Sequence, residues 1–79
     1  MNITVNAKHI TLTDAIRDYS EKKIQRIAKY FDDKMDIHVN LNVEKNMHIA
    51  EIFVNVKGMF LKGIEKSEDM YASIDMAVG

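Results

Sequence analysis

Four basic side chains occur close together in residues 22–29 and could bind phosphate groups. They are Lys22, Lys23, Arg26 and Lys29, and no acidic residue stands between Lys22 and Phe31. A lysine supplies a mobile point charge, and an arginine supplies a planar fork that can contact two oxygens. Because a helix that needs only solubility usually interleaves charges of opposite sign, this flank suggests an anionic partner. A merely solvated face is the alternative that periodicity alone leaves open.

Two tyrosines accompany this flank. Tyr19 and Tyr30 could stack on nucleobases or on Arg26, but both fall on the apolar stripe of a helical wheel. Core packing is therefore the favoured interpretation for both rings.

The remaining polar residues predict no catalysis. No histidine among His9, His38 and His48 is spaced four residues from a second metal ligand on a helix. Asp69 and Asp75 are six positions apart, which points their side chains in different directions on a helix, so Asp69 is better explained as a helix-start charge. Without a Gly-rich phosphate loop or a Ser-His or Cys-His arrangement, we expect no enzyme, no cofactor, no metal and no small-molecule substrate.

The basic flank belongs to a predicted amphipathic helix over residues 12–31. Steps of about 100° place one apolar stripe on Leu12, Ile16, Tyr19, Ile27, Tyr30 and Phe31, with Ala15 and Ile24 at its margins. Thr11, with Asp14 three residues later, is the predicted cap, and Thr13 is a competing cap. The acidic residues after Phe31 oppose the helix dipole, so we expect the helix to stop there.

Alternating apolar and polar residues predict strands over residues 2–8, 37–44 and 50–57. Gly58 interrupts the alternation, and residues 59–64 are the predicted fourth strand. The pattern leaves open whether Met59 and Leu61 or Phe60 and Ile64 face inward.

A second helix follows the strands. Ser67 is its predicted N-cap, and its apolar stripe consists of Met70, Ile74, Ala77 and Val78. The order β-α-β-β-β-α predicts an α+β two-layer sandwich. We expect its four-stranded mixed sheet to have a parallel first pair with a right-handed crossover, two hairpins, and two helices on one face. The other face is predicted to be open to water.

Length and composition limit the class of protein. The 79 residues suffice for one domain, and the formal net charge of −1 leaves only a local patch for binding nucleic acid. The chain has no cysteine, which favours a cytoplasmic location. No apolar run approaches the roughly 18 residues of a membrane span and no signal peptide is evident, so we expect a soluble protein without a membrane partner.

Residues 68–75, Glu-Asp-Met-Tyr-Ala-Ser-Ile-Asp, resemble the Asp-Met-Tyr-Ala-Ala-Ile-Asp signature of the ribosome hibernation promoting factors. This family includes protein Y, also called ribosome-associated inhibitor A. Residues 12–17, 29–32 and 43–45 are similar to the family's helix opening, helix end and second-strand exit. The resemblance covers essentially the whole chain in the family's order and spacing.

The resemblance implies a fold similar to the double-stranded-RNA-binding architecture with an added strand. It also implies binding to small-subunit rRNA in the decoding region, where members reversibly block translation. The family's basic helix positions correspond to Arg17, Lys23 and Arg26, and Lys8 and Lys62 match basic positions of some members. The expected rRNA-binding residues, with Lys23 and Arg26 foremost, are Lys8, Arg17, Lys22, Lys23, Arg26, Lys29 and Lys62.

The chain departs from the family after Val78, where members continue with a Lys/Arg-rich run and this sequence ends at Gly79. We therefore expect residues 1–79 to be a single ribosome-binding domain cut within the second helix. Homodimerisation is expected only if the complete protein has the C-terminal domain of long members. The rival hypothesis is a protein-interaction or dimerising module that uses Phe53, Phe60 and Ile64 on the open sheet face or its edge.

Overall fold

A computed structural model describes residues 1–30 and 34–79. Its elements are β1 (Asn2–Lys8), α1 (Asp14–Ala28), β2 (Met35–Glu44), β3 (Met47–Val56), β4 (Met59–Ser67) and α2 (Met70–Val78). The sheet order is β1-β2-β3-β4, with β1 parallel to β2 and the other pairs antiparallel. The predicted element order, mixed sheet and two hairpins are confirmed. Neither described helix is long and apolar enough to cross a membrane.

Alternation along the strands sorts their side chains onto two faces. The core lies between the helices and one sheet face, and consists of Ile24, Ala28, Met35, Ile37, Val39, Leu41, Ala50, Ile52, Met70 and Ile74. The opposite face is open. In one row across it, Thr4 of β1 is the neighbour of His38 of β2, and His38 is the neighbour of Phe53 of β3. This arrangement is the predicted two-layer sandwich.

The strand register resolves which β4 side chains face the helices. Leu61 pairs with Val54 and Gly63 with Ile52, whose side chains belong to the helix-covered face. The helix-covered face of β4 therefore holds Met59, Leu61, Gly63, Glu65 and Ser67, and the open face holds Phe60, Lys62, Ile64 and Lys66. The strand also extends to Ser67, beyond the predicted end at residue 64.

The start of α1 uses the competing cap. Thr13 has an extended backbone, and its hydroxyl oxygen accepts a hydrogen bond from the backbone N–H of Ile16 at 3.2 Å. The prediction that Thr11 caps the helix is therefore wrong. The described helix ends at Ala28, and the predicted stripe residue Phe31 lies outside the described residues.

The buried side of α1 is rotated from the predicted stripe. Ser20, Ile24 and Ala28 are its buried residues, spaced four apart along one line of the helix. The helical wheel predicts Ile24 at the margin, but it is buried, whereas the predicted core residues Ile27 and Tyr30 are exposed. The hydropathy pattern missed this line because two of its three members are small, and small residues let a helix approach a sheet closely.

The second helix is capped by Asp69 rather than by Ser67. The Asp69 carboxylate accepts from the backbone N–H of Ala72 at 3.1 Å, which satisfies the predicted helix-start role of this charge. Ser67 belongs to β4, and its hydroxyl lies 2.6 Å from that of Ser73. Because the Ser73 hydroxyl also donates to the His48 carbonyl at 2.7 Å, this network ties α2 to β3.

Candidate nucleic-acid interface

Three basic side chains lie together on the outer side of α1. Lys22, Arg26 and Lys29 are all exposed. At about 100° per residue they occupy an arc of about 60°, roughly opposite the buried Ile24. We call these three residues the α1 basic surface.

Lys23 lies towards the second helix. Its Nζ is 3.2 Å from the Asp75 carboxylate and 5.9 Å from the centroid of the Tyr19 ring. Because its ammonium group already has an anionic partner, Lys23 is a poorer phosphate ligand than the exposed Arg26. Of the two foremost sequence candidates, the structure therefore favours Arg26.

The other three predicted site residues lie elsewhere. Arg17 is exposed, but it precedes Arg26 by nine positions, which places it about 180° around the helix. Lys8 and Lys62 belong to the open sheet face. Lys62 is 3.4 Å from the Glu51 carboxylate. The seven predicted residues therefore do not form one surface.

Tyr30 extends the α1 basic surface beyond the end of the helix. Its ring is 79% exposed, and the Lys29 ammonium lies 5.7 Å from its centroid. The prediction that Tyr30 packs in the core is wrong, because α1 ends at Ala28 with Lys29 as a C-cap of helical backbone conformation, and Tyr30 lies beyond that cap. An exposed aromatic ring beside cationic groups is suited to stacking on a nucleobase.

A polar cluster joins the two helices. The Tyr19 hydroxyl donates to the Asp75 carboxylate at 2.5 Å, and the Tyr19 ring meets Tyr71 edge-on with 4.9 Å between centroids. The hydrogen bond from Tyr19, reinforced by Lys23, holds the pKa of Asp75 below its usual 3.8. The same hydrogen bond, with partial desolvation, raises the pKa of Tyr19 above 10.0. No local sequence pattern indicates a role for Asp75, which contacts Tyr19 and Lys23 and so orients α1 against α2.

Asp75→Asn should lower the melting temperature most near neutral pH. Because the folded-state pKa of Asp75 is depressed, its stabilisation is present above the unfolded-state pKa and is lost as the pH falls through the folded-state value. Because the folded-state pKa of Tyr19 is raised, its contribution is present below about pH 10 and is lost as the pH rises through the folded-state value. Thermal melts should show that the melting temperature of Asp75→Asn lies below that of the parent by a constant amount between about pH 5 and 9. This difference should become smaller at lower and at higher pH.

Tyr19→Phe is the matched variant for this pH dependence. It removes only the hydroxyl that donates to Asp75. In this variant the loss of stability above about pH 10 should disappear, and the loss of stability at acidic pH should become smaller. A melting-temperature deficit of Asp75→Asn that stays constant from about pH 3 to 11 would show that the ionisation of Asp75 and Tyr19 does not contribute to stability.

The fold and the α1 basic surface define a class: a two-layer α+β domain that carries a basic helix on its outer side. Within that class, the chain belongs to the family described as sigma 54 modulation protein / S30EA ribosomal protein, which it matches over residues 3–79.

Individual relatives agree with this family. The chain is 36% identical over 76 residues to the ribosome hibernation promoting factor of Azotobacter vinelandii, covering 96% of this chain and 71% of that protein. It is 36% identical over 78 residues to that of Acidithiobacillus ferridurans, covering 95% and 100%. The Thermus thermophilus Protein Y N-terminal domain superposes with a TM-score of 0.90 at 39% identity, covering 99% of this chain and 88% of that one. The predicted family and fold are confirmed.

Proposed function

We propose that this protein binds rRNA of the small ribosomal subunit in the decoding region and thereby blocks translation reversibly. The observation that carries the proposal is the α1 basic surface, in which Lys22, Arg26 and Lys29 are exposed on one side of a helix. The names of the relatives support it, since several are ribosome hibernation promoting factors.

The binding chemistry follows from the three cations. Each phosphate that a lysine or arginine neutralises releases condensed counterions, which makes binding favourable at low salt. A-form RNA is recognised largely through its backbone and shape, so no base-reading motif is required. Occupancy of the decoding region would exclude messenger and transfer RNA without making or breaking a covalent bond. The proposed action therefore needs neither catalysis nor a cofactor.

Charge along α1 orients the proposed complex. Apart from Arg17, the charged residues of the first half of α1 are acidic, namely Asp14, Asp18 and Glu21, and those of the second half are basic. RNA phosphates would repel the first half and attract the second. We therefore place the carboxyl-terminal half of α1, with Tyr30 beyond it, against the RNA.

Sedimentation with purified ribosomal subunits tests the proposal. The protein should pellet with the small subunit and not with the large one, and added messenger and transfer RNA should displace it. Raising the potassium concentration should release it, with a log–log slope of about 2 to 3 for three phosphate contacts. Binding only to the large subunit, or binding indifferent to salt, would overturn the proposal.

Tyr30→Ala should weaken small-subunit binding about 5- to 160-fold, as expected for the loss of about 1–3 kcal/mol from one stacked base. Because stacking releases no counterions, the salt slope should stay unchanged, whereas Arg26→Gln should lower it by about 0.7 to 0.9. Tyr30→Phe keeps the ring and should retain the affinity. Salt titrations of the three variants distinguish these effects. If Tyr30→Ala bound the small subunit as tightly as the parent, Tyr30 would not stack on a nucleobase.

A further inference from the structure

Strand β4 carries much exposed apolar surface at the edge of the sheet. Met59, Phe60, Leu61 and Ile64 are between 46% and 74% exposed. Among the described strands β4 is terminal, and it pairs with β3 in unbroken register from Met59 to Ser67. A long, regular and apolar edge strand is a template for pairing with another strand.

The β3–β4 turn fixes which backbone groups of β4 point outward. Lys57 and Gly58 have φ values of 51° and 80°, as in the two-residue type I′ turn of hairpins. Val56 and Met59 flank this turn as a hydrogen-bonded pair, and such pairs alternate along an antiparallel ladder. The backbone groups that face away from β3 therefore belong to Phe60, Lys62, Ile64 and Lys66.

We propose that β4 pairs antiparallel with β4 of a second copy of this chain, about a two-fold axis at Gly63. This axis sets Phe60 opposite the partner copy's Lys66, and Lys62 opposite its Ile64. All four residues are those whose backbone groups point outward, so every such pair forms intermolecular hydrogen bonds. The two sheets then become one continuous sheet.

Charge selects this register over its neighbours. An axis at Lys62 would set Lys62 against its own copy, and an axis at Ile64 would set Lys62 against Lys66. Like charges directly opposite each other destabilise a sheet. With the axis at Gly63, each lysine instead faces an apolar side chain, and Leu61 faces Glu65 on the other side of the sheet.

The strand's own side chains are thus complementary to a second copy. The formal net charge of −1 adds little long-range repulsion between two chains. The dimer also leaves the α1 basic surface uncovered, because that surface lies on the outer side of the helix layer. Dimer formation and RNA binding therefore use different surfaces and can be tested separately.

Sedimentation velocity tests the dimer. The parent chain should associate reversibly at about 10 to 500 μM, as expected for a small interface. Ile64→Lys places a lysine opposite Lys62 of the second copy and should raise the dimer dissociation constant about tenfold or more. Met76→Lys is the matched control, since Ile64 and Met76 are both 46% exposed and Met76 lies on α2. A parent that stays monomeric, or an Ile64→Lys variant that associates like the parent, would overturn the proposal.

A cross-link tests the register without altering the outward-pointing residues. The chain has no cysteine, so Leu61→Cys and Glu65→Cys can each be made as the sole thiol. Under mild oxidation an equimolar mixture should give the mixed disulfide, because these positions face each other across the interface. A Leu61→Cys dimer formed as readily as the mixed one would overturn the axis at Gly63.

Discussion

Replacing both Lys22 and Arg26 with Glu is expected to weaken small-subunit binding about a hundredfold or more. Both side chains are exposed on the α1 basic surface. Each phosphate contact raises the logarithm of the binding constant by about 0.9 when the salt concentration falls from 1 M to 0.1 M. Losing two contacts therefore lowers the affinity at about 0.1 M salt by nearly two powers of ten. Charge reversal adds repulsion to this loss. Stability should change by less than about 1 kcal/mol, because exposed charges contribute little to folding.

The matched control reverses two exposed lysines elsewhere. Lys45 lies between β2 and β3, and Lys66 lies on the open sheet face. Lys45→Glu with Lys66→Glu changes the net charge equally but should retain most of the binding. Lys23 is left intact in both proteins because its ion pair with Asp75 joins the helices. If a folded Lys22/Arg26 variant co-sedimented like the parent, the α1 basic surface would not be the contact with the small subunit. If both variants lost binding equally, net charge rather than this surface would determine the affinity.

The sheet could be predicted from the sequence because strand alternation directly reflects which face is buried. Ile37, Val39 and Leu41 are all buried as the pattern of β2 required. The fourth strand was ambiguous because apolar side chains occupy both of its faces, and only pairing with β3 separates Leu61 from Phe60. Local signals also failed to choose between Thr11 and Thr13, since both supply a hydroxyl at the start of α1.

The candidate site was less predictable because its details depend on distant contacts. Lys23 forms an ion pair with Asp75 on the other helix, and no local sequence pattern predicts that pair. The prediction that Tyr30 lies in the core extends helical periodicity past the C-cap Lys29. The group of exposed cations was nevertheless evident, because Lys22, Arg26 and Lys29 share one side of a single helix.

A pair of isoleucines on α1 gives a direct test of how this helix is oriented on the sheet. Ile24 is 4% exposed and belongs to the core, whereas Ile27 is 37% exposed. The two residues have identical side chains and similar helix propensity costs, so replacing each with Ala isolates the effect of burial. An apolar stripe read from hydropathy would assign the larger loss to Ile27.

Ile24→Ala is expected to lower the free energy of unfolding by about 2–5 kcal/mol, since it removes buried methylene groups and leaves a cavity. Ile27→Ala should cost about 1 kcal/mol, because more than a third of that residue is already in contact with water. In a domain of this size each kcal/mol shifts the melting temperature by about 4–8 °C, so the two variants should separate clearly. Urea unfolding followed by circular dichroism measures both values. Equal losses, or a larger loss for Ile27→Ala, would mean that α1 meets the sheet along the line of Ile27.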